Sequence, residues 1–174
     1  YRLALKVTRH TEIDVQAATI DLATYRTLFT RDGLAVTTAR FDVRNRREQF
    51  LRVHLPEGSE IWSASVNGEA EKPALAGADT DSPEVLIGII NSDQGFPVEL
   101  VYATPVRKLR LFGSVKTELP NPDMVVTRSQ LDVLLPDSLR YGRASGDMDL
   151  LVAGAPAGGA GGVEGRMVTP SPSL

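Results

Sequence analysis

Cysteine is missing from all 174 residues, and histidine occurs only twice, at His10 and His54. The first absence excludes disulfides, thiol catalysis and cysteine-ligated metals. The second leaves a catalytic zinc short of donors, because such sites usually take three protein ligands. No apolar run approaches the roughly 18 residues of a membrane span. The net charge is −3, so no global basic field recruits nucleic acid or anionic lipid. A Gly-x-Ser-x-Gly elbow and a phosphate-cradling Gly-Lys-Ser/Thr are both absent, which removes the usual sequence marks of a serine hydrolase and of a phosphate loop.

What the chain has is alternation with a period of two. Within Ala39 to Gly68, Phe41 and Val43 alternate with Asp42 and Arg44. Leu51, Val53 and Leu55 alternate with Arg52 and His54, and Trp62, Ala64 and Val66 with Ser63 and Ser65. This rhythm sends neighbouring side chains to opposite faces of a strand, whereas a helix spaces its apolar residues by three and four. Arg44-Asn45-Arg46-Arg47-Glu48 holds no apolar residue, and asparagine tolerates a left-handed backbone, so a turn is expected there. Pro56-Glu57-Gly58 closes the next strand, and Asn67-Gly68 is a hairpin-turn signal. The stretch reads as three consecutive antiparallel strands joined by polar turns, with Trp62 in phase with the core.

The same rhythm runs through the rest of the chain. Leu3, Leu5 and Val7 mark a first strand; Ile13, Val15 and Ala17 start another. Ile20 and Leu22 are out of phase with Tyr25, Thr27 and Phe29, which predicts a bulge or bend between them. A helix over Val15 to Tyr25 is disfavoured by its Thr, Ile and Tyr content. Asp32-Gly33 turns a hairpin into Leu34 to Val43. Glu69 to Glu84 is a loop with a short edge strand at Glu69 to Lys72. Val85 to Ile90 is apolar on both faces, as a central strand would be. Asn91 to Gly95 is a turn, Val98 to Tyr102 a strand, Pro120 to Asp123 a break, and Leu131 to Leu135 the last strand of the domain.

Leu51 to Glu57 and Leu131 to Asp137 share the pattern Leu-x-Val-x-Leu-Pro-acid, but one copy of each is too little for a repeat. About ten short strands and no secure helix define an all-β antiparallel sandwich over residues 1–150, with a closed barrel as runner-up. Residues 151–174 are rich in Gly, Ala, Pro and Ser and read as a linker or disordered tail, although Met167 and Val168 could add a short strand. A chain that opens at Tyr1 in strand-like sequence and closes in such a tail is expected to be an excised domain, or a mature form without its leader, with more protein following.

Candidate sites each meet a simpler explanation. His54 points outward on its strand and His10 sits in a polar turn, so both read as solvated. Asp79, Asp81 and Glu84, and separately Asn91 and Asp93, offer oxygens at a spacing calcium can use, but the EF-hand glycine and terminal glutamate are misplaced. Arg44 to Arg47 and Arg107 to Arg110 lack interleaved aromatics and suit the protection of strand edges. Trp62 and Tyr102 are a conceivable sugar-stacking pair, yet the phase of Trp62 places it in the core. No catalytic, cofactor-binding or metal-binding residue is assigned.

One resemblance covers Phe41 to Gly68: an apolar strand, Leu55-Pro56-Glu57-Gly58, a second strand, then Val66-Asn67-Gly68. This run resembles secreted bacterial β-sandwich modules and the all-β N-terminal domain of some metallo-aminopeptidases. The His-Glu-x-x-His of those enzymes is absent, so no catalytic residue carries over. The expectation is a non-enzymatic module of a larger bacterial cell-envelope or secreted protein, extracytoplasmic, serving protein–protein contact or spacing through strand edges and loop tips. Its partners would be other domains of the same or another chain, with no cofactor and no nucleic acid. A carbohydrate-binding module is the alternative, and a hydrolase with dispersed residues the remote one.

Overall fold

A computed structural model describes residues 17–76, 83–109 and 116–136, with the backbone of two further strands at Asp149–Val152 and Gly165–Val168. Every regular element among the described residues is a strand: β1 (Ala18–Phe29), β2 (Leu34–Asn45), β3 (Phe50–His54), β4 (Glu60–Val66), β5 (Glu69–Glu71), β6 (Ala74–Ala76), β7 (Glu84–Gly88), β8 (Ser92–Pro105), β9 (Asn121–Pro122), β10 (Val125–Val126), β11 (Ser129–Leu134), β12 (Asp149–Val152) and β13 (Gly165–Val168). A nine-stranded sheet runs β12-β13-β11-β1-β2-β8-β4-β5, with β10 also paired to β1, and a four-stranded sheet runs β6-β7-β3-β9. Neither sheet closes on itself, so the fold is a sandwich and not a barrel. Pairing is antiparallel except where β10 and β11 lie parallel to β1. The expected strands at Leu3 to Val7 and at Ile13 and Val15 lie outside the described residues. The strand expected from Met167 and Val168 pairs with Gln130 and Leu131 of β11.

The local turn chemistry is obeyed. Gly33 takes a positive φ of 95° in the β1–β2 hairpin, and Asn67 and Gly68 take 52° and 83° between β4 and β5, the type I′ signature. The phase change in β1 is a bulge. Ile20 pairs with Val43 and Leu22 with Asp42, leaving Asp21 as the extra residue. The bulge separates Ile20, which is buried, from Leu22, so the inward set continues as Ala23, Tyr25, Thr27 and Phe29.

Three expectations are corrected. The strands within Ala39 to Gly68 do not pair with one another: β2 lies between β1 and β8, β3 between β7 and β9 in the other sheet, and β4 between β8 and β5. The chain changes sheet after Asn45 and again after His54. Alternation reports which face a residue shows, not which strand lies beside it. Asn91 to Gly95 is not a free turn, because Ser92 to Gly95 already belong to β8. There Val43 faces Phe96 and Asn45 faces Ser92, so Arg44 opposes three residues in a wide bulge, and Gly95 supplies the φ of 77° that it needs. The break at Pro120 to Asp123 contains β9, which closes the outer edge of β3. Proline is suited to an edge because it has no N–H to offer the next strand.

The core forms between the sheets. From the long sheet come rows such as Ala23, Phe41 and Val98, then Tyr25, Ala39 and Leu100, with large residues beside small ones. The Tyr25 and Phe41 rings meet edge-on, 6.0 Å apart at 79°, a favoured aromatic geometry. From the short sheet come Leu51, Val53, Val85 and Ile87, all fully buried. β7 is thus an interior strand of the short sheet, as its apolar composition requires.

Asn45, 1% exposed, ties together two crossings, the one from β2 into β3 and the one from β7 into β8. Its Nδ2 donates to the Glu48 carbonyl (2.7 Å), the Ile90 carbonyl (2.9 Å) and Asn91 Oδ1 (3.2 Å). Its Oδ1 accepts from the Arg47 and Glu48 N–H groups at 3.1 and 2.9 Å. Its backbone φ is not positive, so asparagine stands here for its amide and not for a left-handed turn. Removing a buried side chain that serves several groups leaves each unsatisfied. Asn45→Ala should therefore lower stability by about 3 kcal/mol in urea denaturation. A loss under about 1 kcal/mol would mean that water or neighbours replace the amide.

Trp62 is the other departure. β4 bulges against β8 between Ile61 and Ser63, so Ile61 packs on the core while Trp62 is 53% exposed. One inserted residue inverts the phase on its far side, and Trp62 therefore does not share the face of Ala64 and Val66. As it is the chain's single tryptophan, fluorescence should show a solvent-exposed emission freely quenched by acrylamide. A blue-shifted, protected emission would contradict the bulge.

Candidate functional site

β1 and β2 are 12 residues long and β8 is 14, against five each for β3 and β7. The inner face of the long sheet therefore extends past the short sheet. Two rows lie on this overhang: Thr27, Thr37, Tyr102 and Ile61, then Phe29, Ala35 and Thr104. A cleft of about 430 Å³ opens there. Ala35, Thr37 and Thr104 belong to its floor, Pro56, Pro105 and Val106 to its walls, and Glu57, Arg107, Lys116 and Glu118 to its rim. The wall is pinned at Gly33, whose carbonyl accepts from the Val106 N–H at 2.9 Å. A Cβ on Gly33 would lie 2.7 Å from the Val106 oxygen, so glycine is required for space as well as for its φ.

The floor is polar where a sandwich interior is usually apolar. Thr27 and Thr37 share a buried hydrogen bond between their hydroxyls at 2.9 Å, and Ser59 and Thr104 share another at 2.9 Å. Tyr102, directly opposite Thr37 and 1% exposed, makes no hydrogen bond of ordinary geometry through its phenol oxygen. Burial raises its pKa well above the usual tyrosine value; the nearby Thr37 hydroxyl pulls the other way, and the Tyr25 phenol adds slightly to the rise. Burial also pushes Tyr25 up to about 12.

The residues singled out in the sequence are placed as follows. His54 faces outward with Nδ1 3.8 Å from Glu84 Oε2, and Glu84 Oε1 accepts from Arg52 Nη1 at 2.7 Å. Asp123 Oδ1 accepts from the Arg52 N–H at 3.2 Å. The groups around His54 thus tie β3 to β7 and β9. Asp93 accepts from Arg46 at 2.8 Å, and Arg44 donates to Asp21 at 2.6 Å, so this basic cluster is laced to carboxylates of neighbouring strands. His10, Asp79, Asp81 and Arg110 lie outside the described residues. Tyr102 is buried and Trp62 exposed, so they form no common stacking platform. Among the described residues no three His, Cys, Asp or Glu side chains are grouped to hold a metal ion. The cleft itself was not foreseen. Its one trace in the sequence is threonine at inward positions, Tyr25-x-Thr27-x-Phe29 and Ala35-x-Thr37-x-Ala39.

No protein-family model matches the chain, and no curated protein matches it in sequence. Solved structures match it in fold. The M1 zinc metallopeptidase from Deinococcus radiodurans superposes with a TM-score of 0.53 at 10% identity, over 88% of this chain and 39% of its own. Native yeast LTA4 hydrolase gives 0.54 at 7% identity, over 88% and 27%. Legionella pneumophila aminopeptidase A, in complex with aspartic acid, gives 0.53 at 12%, over 91% and 20%. The chain spans well under half the length of each. At these identities the likeness is one of fold.

These likenesses correct the expectation of a non-enzymatic spacing or contact module. The fold occurs as one portion of zinc metallopeptidases. Missing catalytic motifs do not single out a structural protein, because a portion of an enzyme that holds none of the reacting groups lacks them equally.

The buried phenols give the site an alkaline limit. Below pH 10 Tyr25 is neutral in the folded and unfolded chain, and its stabilising effect is complete. Between its unfolded value of 10.0 and its folded value of about 12 the unfolded chain ionises first, so stability falls as pH rises. The loss from Tyr25 alone reaches about 3 kcal/mol. Urea denaturation from pH 8 to 12 should show it, and Tyr25→Phe should flatten that fall. An unchanged profile in the variant would show that Tyr25 is not the group responsible.

Proposed function

We propose that these residues form the all-β, non-catalytic domain of an M1-type zinc metallopeptidase, with the zinc and the hydrolytic groups carried elsewhere in the native protein. The observation that carries this is the fold likeness, which takes in 88% of this chain but only 39% of the Deinococcus enzyme and 27% of the yeast one. The resemblance of Phe41 to Gly68 to the N-terminal domain of metallo-aminopeptidases points the same way. This chain has no His-Glu-x-x-His, and among the described residues no three His, Cys, Asp or Glu side chains are grouped to hold a metal ion. The partner of the domain is then another domain of the same polypeptide.

The test uses the full native polypeptide that contains these residues. It should bind zinc and release p-nitroaniline from aminoacyl p-nitroanilides, lose that activity to a chelator and regain it with zinc. The 174-residue chain alone should be inert. Hydrolysis by this chain by itself, or a full polypeptide that binds no zinc, overturns the reading.

A further inference from the structure

We propose that the cleft on the overhang of the long sheet binds the zwitterionic backbone of a short peptide. Its volume of about 430 Å³ lies in the range of small-ligand sites, roughly 300–1,000 Å³. Its rim carries two charges of each sign, Glu57 and Glu118 against Arg107 and Lys116. Among the described residues none of the four is in an ion pair, whereas Arg40, Arg44, Arg46 and Arg52 all are. A rim of mixed sign can face both ends of a zwitterion, whereas it offers a ligand of one net charge no net attraction.

The floor adds a directional element. Thr37 faces the cleft, with the Thr27 hydroxyl at 2.9 Å and the uncommitted Tyr102 phenol on the next strand. A hydroxyl oxygen has two acceptor lone pairs and one proton. When Thr37 gives its proton to a peptide carbonyl, its oxygen is free to accept from both Thr27 and Tyr102. The three hydroxyls then form a polarised chain, in which each bond strengthens the next. An apolar ligand would leave this row unsatisfied. The proposal does not rest on the metallopeptidase reading, and its test needs neither zinc nor the rest of the native polypeptide.

The 174-residue chain, labelled with nitrogen-15, is titrated with trialanine, with N-acetyl-trialanine amide and with free alanine. Trialanine should shift the amide signals of Thr37, Thr104 and Arg107, saturating at roughly millimolar concentration. The capped peptide and free alanine should bind about tenfold more weakly or not at all. Arg107→Gln with Lys116→Gln, and Glu57→Gln with Glu118→Gln, should each weaken trialanine about threefold to fivefold, as expected for exposed charges. These rim positions are at the surface, so the variants fold whatever becomes of Thr37→Val, which should abolish the shifts. Absence of saturable shifts, shifts confined to other surfaces, or equal binding by the capped peptide or by alanine overturns the proposal.

Discussion

Asn45 stands where two of the crossings between the sheets meet. The chain leaves the long sheet through Arg46 to Gln49 to begin β3, and it returns from β7 through Ile89 to Asn91 to begin β8. A single amide bonds to both connections, through Glu48 on one side and Ile90 and Asn91 on the other. Gln49 and Ile89 join them again through a backbone bond of 3.0 Å. Apolar burial drives the sheets together without regard to direction. A satisfied polar network is directional and admits one arrangement. At this end of the sandwich the anchor holds the two connections, and so the two sheets, in one relation.

The overhang in turn determines what the molecule offers to others. A short sheet over a long one leaves inner-face residues that no second sheet covers, and loops fill in around them. Hydroxyls occupy those positions instead of methyl groups, and the rim charges lie beyond the ion pairs that lace the outer faces. The likeness to zinc metallopeptidases concerns the framework alone. The cleft belongs to the particular residues that this chain has placed upon it.

Much of the framework was legible from residue type. Phe41, Val43, Leu51 and Val53 are buried where alternation put them, and Asn67-Gly68 makes the turn its chemistry implies. The phase change between Ile20 and Tyr25 announced a bulge, because a period of two has no other way to change face. The bulge at Trp62 gave no such warning, since Trp62, Ala64 and Val66 keep perfect phase in sequence while the backbone slips beneath the first of them. Strand partnership was also hidden: nothing in β2, β3 or β4 says that consecutive strands alternate between sheets. The cleft was illegible because it arises from a difference in strand length across distant segments, and only the inward threonines hinted at it.

Ala23 of β1 pairs in parallel with Ser129 of β11, far apart along the chain. The hairpin of β1 and β2 is local and can zip as soon as both strands exist, but the other flank of β1 stays bare until β11 has been made. During synthesis on the ribosome a long strand therefore waits with one row of backbone groups unpaired while most of the domain is translated. Closing so large a loop is slow, and a bare strand edge invites pairing with other chains meanwhile. The charge of Arg26, which lies beside Asp132 once this pairing forms, stands on the waiting strand and therefore matters to the nascent chain as much as to the finished fold.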